Sequence, residues 1–369
     1  MTARLAQIVD DIAELVTCES PSADLAAVAA SADVVARMGE RLTGGAPERI
    51  TIDGRSHLRW RLGGRPSARV LLLAHHDTVW PLGSLATHPF SVTDGVLRGP
   101  GCFDMKTGLV LALHAVAVLG SPAGVTILVT GDEEVGSPSS RALIEAEAAG
   151  CRAVLVLEAA ADGGAVKTER KGTSLYHVRV AGRAAHAGLE PEKGINATIE
   201  LGHQVLAISC LADPARGTSV TPTAMSSGTT LNTVPAAGEL AVDARMWDAV
   251  EQERVDAGMR ELAPVLDGAV LEVDGGPNRP PLDSAASAGL FTRAAGLAAV
   301  LGLPPLARAA VGGASDGNFT AGLGIPTLDG LGAVGGGAHA DHEHVLIAEL
   351  PGRAALLAAL IADILGETP

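Results

Sequence analysis

An apolar run stops abruptly at two histidines and an aspartate in Leu71-Leu72-Leu73-Ala74-His75-His76-Asp77-Thr78-Val79. Further along stand Asp104, the pair Glu133-Glu134, Glu158 and His339, each near the end of a strand-like segment or in a Gly-rich loop. Carboxylates mixed with imidazoles are a donor set for Zn²⁺, with Co²⁺ or Mn²⁺ as substitutes. Together these groups are nearly enough to hold two divalent ions, which points to a metal-dependent hydrolase. His75 and Asp77 lie two apart, so an extended chain turns both to one face. Either both bind metal, or His75 binds and Asp77 orients its other ring nitrogen. His76 then points the opposite way and is structural. Asp104 reads either as an ordinary helix N-cap or as a carboxylate bridging two metals. The three acids Asp132-Glu133-Glu134 repel one another at a strand end, and a bound dication accounts for them. Glu158 ends Val154-Leu155-Val156-Leu157-Glu158. The loop Gly335-Gly336-Gly337-Ala338-His339-Ala340-Asp341-His342-Glu343-His344 offers three histidines, and spacing does not choose among them.

Such groups need a scaffold that gathers strand ends. Leu5, Ile8, Ile12, Leu15 and Val16 give a first helix its period; Ser20-Pro21-Ser22 breaks it, and Val28, Val34 and Val35 continue on a second. A buried strand is predicted from Ala68 to Ala74, a helix over 105–119 and a strand over 125–130. Ser137-Pro138 reads as an N-cap with Pro at the first helical position, opening a helix to about 149; a strand follows over 153–157. This alternation predicts α/β layers around a mostly parallel sheet, where ligands bind beyond the carboxyl ends of the strands. His75, Glu134 and Glu158 fall on that edge.

The texture changes near Gly172. A strand over 175–180, a helix over 195–211, strands near 219–224 and 239–245, a helix over 249–266 and a strand over 270–273 follow. This β-α-β-β-α-β order predicts a separate α+β, ferredoxin-like module with an antiparallel sheet. Asn278-Arg279-Pro280-Pro281 reads as the return linker, and the chain closes in a helix over 347–365. The expectation is a discontinuous catalytic domain, 1–172 and 280–369, with an inserted domain at 173–279.

The 369 residues also favour two domains. A net charge of −15 and only 2% aromatic residues disfavour nucleic acid and anionic membranes as partners. The first sixteen residues lack the pattern of a signal peptide, and no stretch reads as a membrane span. Cys18, Cys102, Cys151 and Cys210 are scattered without a C-x-x-C pair, so a disulfide framework is not expected and the cytoplasm is the default compartment.

In order, His75-His76-Asp77-Thr78-Val79, Gly99-Pro100-Gly101-Cys102-Phe103-Asp104-Met105-Lys106-Thr107-Gly108 and Asp132-Glu133-Glu134-Val135-Gly136-Ser137 resemble the motifs of one family. It is the di-zinc metallopeptidase family that includes carboxypeptidase G (glutamate carboxypeptidase), aminoacylase, acetylornithine deacetylase and succinyl-diaminopimelate desuccinylase. The resemblance spans essentially the whole chain and is strongest to carboxypeptidase G. It implies that His75, Asp104 and Glu158 bind one Zn²⁺ and that Asp104, Glu134 and His339 bind the other. Asp104 would bridge, Glu133 would be the general base and Asp77 would orient His75. His339 is chosen by the family's Gly-x-x-x-His-x-x-x-Glu pattern, with Glu343 as its trailing acid, which leaves His342 and His344 structural.

Gly182-Arg183-Ala184-Ala185-His186-Ala187-Gly188 resembles the family element whose histidine reaches the partner subunit's active site and stabilises an oxyanion. Asn232 in Asn232-Thr233-Val234-Pro235 is implied to lie near substrate. Arg245, and Arg279 before Pro280, are implied to hold its terminal carboxylate. The chain departs from the family at Ala74, often Gly or Ser, and at Thr107, often Gly. Lys167, Arg170 and Lys171 lie near the place where carboxypeptidase G presents a lysine to glutamate, but none occupies the matching position. The resemblance implies a homodimeric zinc hydrolase that releases a C-terminal amino acid from a small N-acylated or peptidyl substrate. An N-acyl-amino-acid deacylase or dipeptidase is the near alternative, and a non-catalytic binding member the remote one.

Overall fold

The computed structural model describes residues 1–63 and 69–366. Two compact units emerge: Met1–Glu169 with Asp283–Val311 and Ser315–Pro369, and Arg170–Leu282 with Gly312–Ala314. In chain order the first opens with α1 (Leu5–Val16), α2 (Leu25–Thr43), β1 (Glu48–Ile52), β2 (Arg55–Arg61) and β3 (Val70–His75). Next come β4 (Ser91–Thr93), β5 (Val96–Arg98), α3 (Thr107–Val116), β6 (Val125–Thr130), α4 (Arg141–Ala148), β7 (Ala153–Val156) and β8 (Val166–Arg170). The second unit holds β9 (Gly172–Ala181), β10 (Ala185–His186), α5 (Ala197–Ser209), β11 (Ser219–Ser227) and β12 (Thr233–Val234). It continues with β13 (Ala237–Met246), α6 (Ala249–Arg260) and β14 (Val270–Arg279). After α7 (Ser284–Val300) come β15 (Arg308–Val311), α8 (Gly317–Gly322), β16 (Thr327–Leu328), β17 (Gly335–Gly336), β18 (His344–Leu346) and α9 (Leu350–Leu365).

The first unit is mixed α/β around a six-stranded sheet of order β1-β2-β6-β3-β7-β16. The pairings of β6 with β3, β3 with β7 and β7 with β16 are parallel; the β1 and β2 edge is antiparallel. β3 and β6 are buried at every position, as strands covered on both faces must be. α3 is buried along its whole length, and α1 turns Ile8, Ile12, Leu15 and Val16 inward. Gly108 lets the start of α3 approach the sheet, because a Cβ there would stand 1.9 Å from the Leu157 carbonyl oxygen. The open edge at the carboxyl ends of β3, β6 and β7 is thus brought close to the turn that precedes α3.

The second unit is a four-stranded antiparallel sheet of order β11-β13-β9-β14 with α5 and α6 packed on it. β9 alternates, burying Tyr176, Val178 and Val180 while Leu175, His177 and Arg179 face out. Asn196 and Asp248 cap α5 and α6 by accepting main-chain N–H bonds, which sets the starts of both helices.

Several boundaries differ from the sequence reading. The expected strand residue Ala68 lies outside the described residues, and β3 is seen from Val70. The helix expected from Met105 begins at Thr107, because Cys102–Lys106 forms a separate turn in which Asp104 and Met105 leave helical angles. Ser137 does not cap α4. Its φ is +59° and its hydroxyl bonds the Asp316 carboxylate, while α4 starts at Arg141. The serines after it serve Asp132, which accepts from the N–H and hydroxyl groups of both Ser139 and Ser140. Asn278 and Arg279 are not linker but the last residues of β14, and α6 stops at Arg260.

Candidate metal centre

Five ligand-type side chains meet at the strand-end edge of the α/β unit. His75 closes β3; Glu134 lies in a short turn after β6; Glu158 follows β7; Asp104 sits in the turn before α3; His339 lies after β17. They form two groups, His75 with Asp104 and Glu158, and Asp104 with Glu134 and His339, the ligand atoms of each lying within 4.8 Å of one another. His75 Nε2 is 3.5 Å from Asp104 Oδ1 and 3.5 Å from Glu158 Oε1. His339 Nε2 is 3.3 Å from Asp104 Oδ2 and 3.3 Å from Glu134 Oε2. Asp104 therefore turns one oxygen to each group.

These spacings fit a metal. Donors about 2.1 Å from a tetrahedral Zn²⁺ stand about 3.4 Å apart. His75 Nε2 and Glu134 Oε1 are buried without a hydrogen-bond partner among the described residues. His75 Nδ1 donates to the Asp77 carbonyl at 2.9 Å, which turns Nε2 toward the carboxylates as the nitrogen that would bind a metal. His339 holds the uncommon left-handed φ of +62°, a conformation that the local chain must enforce.

The sequence expected the Asp77 carboxylate to orient His75, and the structure gives that carboxylate other partners as well. Its Oδ1 is 3.5 Å from His75 Nδ1. It also accepts from the N–H groups of Glu133 and Glu134 at 3.2 and 3.3 Å and from the Ser22 hydroxyl at 2.6 Å. Ser20 donates to the His76 carbonyl at 2.7 Å. The Ser20-Pro21-Ser22 segment, read in the sequence only as a helix break, thus grips the backbone and carboxylate next to His75. His76 donates from Nε2 to the Ser56 carbonyl at 3.0 Å and is buried; burial pushes its pKa down to about 4. It is a neutral core histidine.

Acids and imidazoles in the cluster set one another's charge. His339 is raised to about 10 by the carboxylates of Asp104 and Glu134, which outweigh its partial burial. Burial opposes a charge on His75, but Asp104, Asp77 and Glu158 together raise it well above its ordinary value. Burial likewise opposes ionisation of Asp104, yet His339 and His75 hold it far below the usual carboxylate range. Glu134 is raised, by burial first. Glu133 is buried beside them at the end of β6.

The remaining candidates belong to the second unit. His186 is exposed on β10, and its Nδ1 accepts from the N–H groups of Gly188 and Leu189, both at 3.1 Å. The neutral ring therefore carries its proton on Nε2, a hydrogen-bond donor. Asn232 is exposed in the turn before β12, and its carbonyl accepts from Ala187 at 2.9 Å. Arg245 on β13 makes a two-pronged bond to Asp243 at 2.7 and 2.8 Å. Arg279 is buried at the end of β14.

A model of peptidase family M20/M25/M40 matches residues 71–363. Carboxypeptidase G2 of Pseudomonas sp. (strain RS-16) is 30% identical over 323 residues, 82% of this chain and 76% of the relative. Succinyl-diaminopimelate desuccinylase 2 of Shewanella loihica is 32% identical over 244 residues, 60% of this chain and 63% of that one. Among solved structures, a tripeptidase from Staphylococcus aureus superposes with a TM-score of 0.75 at 19% identity, covering 98% of this chain and 99% of its own. An M20 family metallo-carboxypeptidase from Sulfolobus solfataricus gives 0.75 at 16% identity, with 99% and 100% covered. At those identities the two structures speak for a shared fold. No helix among the described residues is long and apolar enough to cross a membrane.

Proposed function

We infer the reaction from one premise: the chain belongs to peptidase family M20/M25/M40. It is a hydrolase of the peptidase and deacylase kind. We propose that it cleaves the amide bond to a C-terminal amino acid in a small peptidyl or N-acyl substrate, in the manner of a glutamate carboxypeptidase. The observation that carries this reading is Asp104, whose two oxygens face two separate ligand groups at 3.3 and 3.5 Å. His75, Asp104 and Glu158 would hold one Zn²⁺, and Asp104, Glu134 and His339 the other. Ions bound there would supply Lewis acidity to a water and to the scissile carbonyl.

The chain's own groups then move the protons. Glu133 takes one from the attacking water and returns it to the leaving amine. Asp77, bonded to the main chain of Glu133 and Glu134, keeps base and ligand in register. The Nε2 proton of His186, supplied by the partner subunit of a homodimer, would stabilise the tetrahedral oxyanion. Asn232, Arg245 and Arg279 would receive the amino acid that leaves. Arg245 must then exchange its Asp243 pairing for the substrate carboxylate, or share the two.

One finding favours a second reading. The 32% identity over 244 residues to a succinyl-diaminopimelate desuccinylase suits an N-acyl-amino-acid deacylase or dipeptidase with the same chemistry. Incubating the zinc-loaded protein with p-aminobenzoyl-glutamate and assaying glutamate separates the two. Release supports the carboxypeptidase reading. Its absence, with hydrolysis of N-succinyl or dipeptide substrates, supports the second. Activity without bound metal would overturn both.

A further inference from the structure

Glu343 lies four residues beyond His339 and is 3% exposed. Its carboxylate accepts four N–H bonds. Oε2 takes the Trp80 indole at 2.7 Å and the Gly101 main chain at 3.0 Å. Oε1 takes the main chains of Phe103 at 2.8 Å and Asp104 at 3.0 Å. An ionised carboxylate offers about four lone-pair sites, so these donors fill it. Three of the four come from the Gly101–Asp104 turn that presents the shared carboxylate. Gly101 can take part because its φ is +69° and a Cβ there would stand 2.4 Å from Thr78 Cγ2.

We propose that Glu343 is the positioning residue of the centre. It holds the Asp104 turn in place and ties it to the segment that carries His339, so both metal positions depend on one buried carboxylate. This rests on the two-metal reading above. A glutamine keeps the shape but has one acceptor oxygen. Its amide nitrogen would face two N–H groups that need acceptors, and the turn would have to shift.

The test uses the full-length apo protein titrated with Zn²⁺ alone and with Co²⁺ alone. Glu343→Gln should weaken uptake of both ions by about ten-fold or more, the usual consequence of losing an outer partner of a ligand. It should also change the visible spectrum of the Co²⁺-loaded protein, because the ligand geometry moves. His339→Ala is the reference and should lose one ion only. A role confined to fold stability would lower the unfolding midpoint but leave the Co²⁺ spectrum of the folded fraction unchanged, which overturns the proposal. So would two ions bound with wild-type affinity in Glu343→Gln. Should that variant fail to fold, Trp80→Phe removes one donor and leaves the carboxylate. A measurable weakening of both ions then supports the role, and wild-type affinity refutes it. A wild-type protein that takes up no ion would bring down the two-metal reading itself, a result distinct from either.

Discussion

The two units handle their acids differently. In the second, Glu251 is gripped by Arg254 at 2.7 and 2.8 Å and by Thr218 at 2.6 Å, Glu200 takes the main-chain N–H groups of Val265 and Leu266, and Asp243 is paired with Arg245. In the α/β unit Asp104, Glu134 and Glu158 stand 3.3–3.5 Å from two histidines. Within that same unit, away from the strand ends, His114 and Asp11 meet at 2.7 Å. Separation marks the contrast. At 2.7 Å a carboxylate has its hydrogen bond and the pair is finished structure. Where three ligand-type side chains gather 3.3–3.5 Å apart, they are spread as around a further body, and a dication fits among them.

The sharpest way to break this contrast is Asp104→Asn. It should remove both ions and lower kcat/KM on the order of 10³-fold, given that Lewis acidity supplies several kcal/mol; metal analysis with kinetics reads it. Glu133→Gln should lower kcat by about 10²–10⁴-fold, the usual worth of a general base, while both ions stay bound. Full activity in that variant would remove Glu133 from the mechanism. In the second unit, Glu251→Gln should leave metal content unchanged and cost about 2 kcal/mol in a urea melt, through lost charge-assisted bonds. Glu251 is held at about 2, first by Arg254 and then by Thr218 and Arg216, against the burial that opposes it. Its folded value is below its unfolded one, so its stabilisation is complete above about 4.5 and is lost as pH falls toward 2. The stability gap between wild type and Glu251→Gln should narrow across that window. The smallest effect belongs to Asp243→Asn, which frees Arg245. A two- to three-fold fall in KM, about 0.5 kcal/mol, is expected if the guanidinium receives the substrate carboxylate, and an unchanged KM if its pairing is purely structural.

Much of this was legible as periodicity. β6 occupies 125–130 as expected, and the β-α-β-β-α-β order appears as β9, α5, β11, β13, α6 and β14. Such segments bury one face or both, and burial writes itself into local pattern. His75, Glu134 and Glu158 were visible because strand ends are visible, whereas Asp104 and His339 lie in loops and were singled out by the family's motifs. What stayed hidden depends on partners distant in sequence. Nothing near Glu343 signals that it will bond residues 101–104, and nothing near Ser22 signals Asp77. Ser137-Pro138 looked like a cap because its competitor, Asp316, lies far along the chain. The Arg245 pairing was within reach. Residues two apart on a strand share a face, and Asp243 stands two before it.

His339 and Glu343 come late in the chain, after the whole of the second unit has been made. During synthesis the first 158 residues can supply His75, Asp104, Glu134 and Glu158, but the Asp104 turn lacks its buried acceptor until the ribosome has passed residue 343. Completing the turn therefore requires a contact between residues far apart in sequence. In a nascent chain built this way, the two ligand groups wait incomplete, one without His339 and the other without the turn's anchor, until residue 343 has been added.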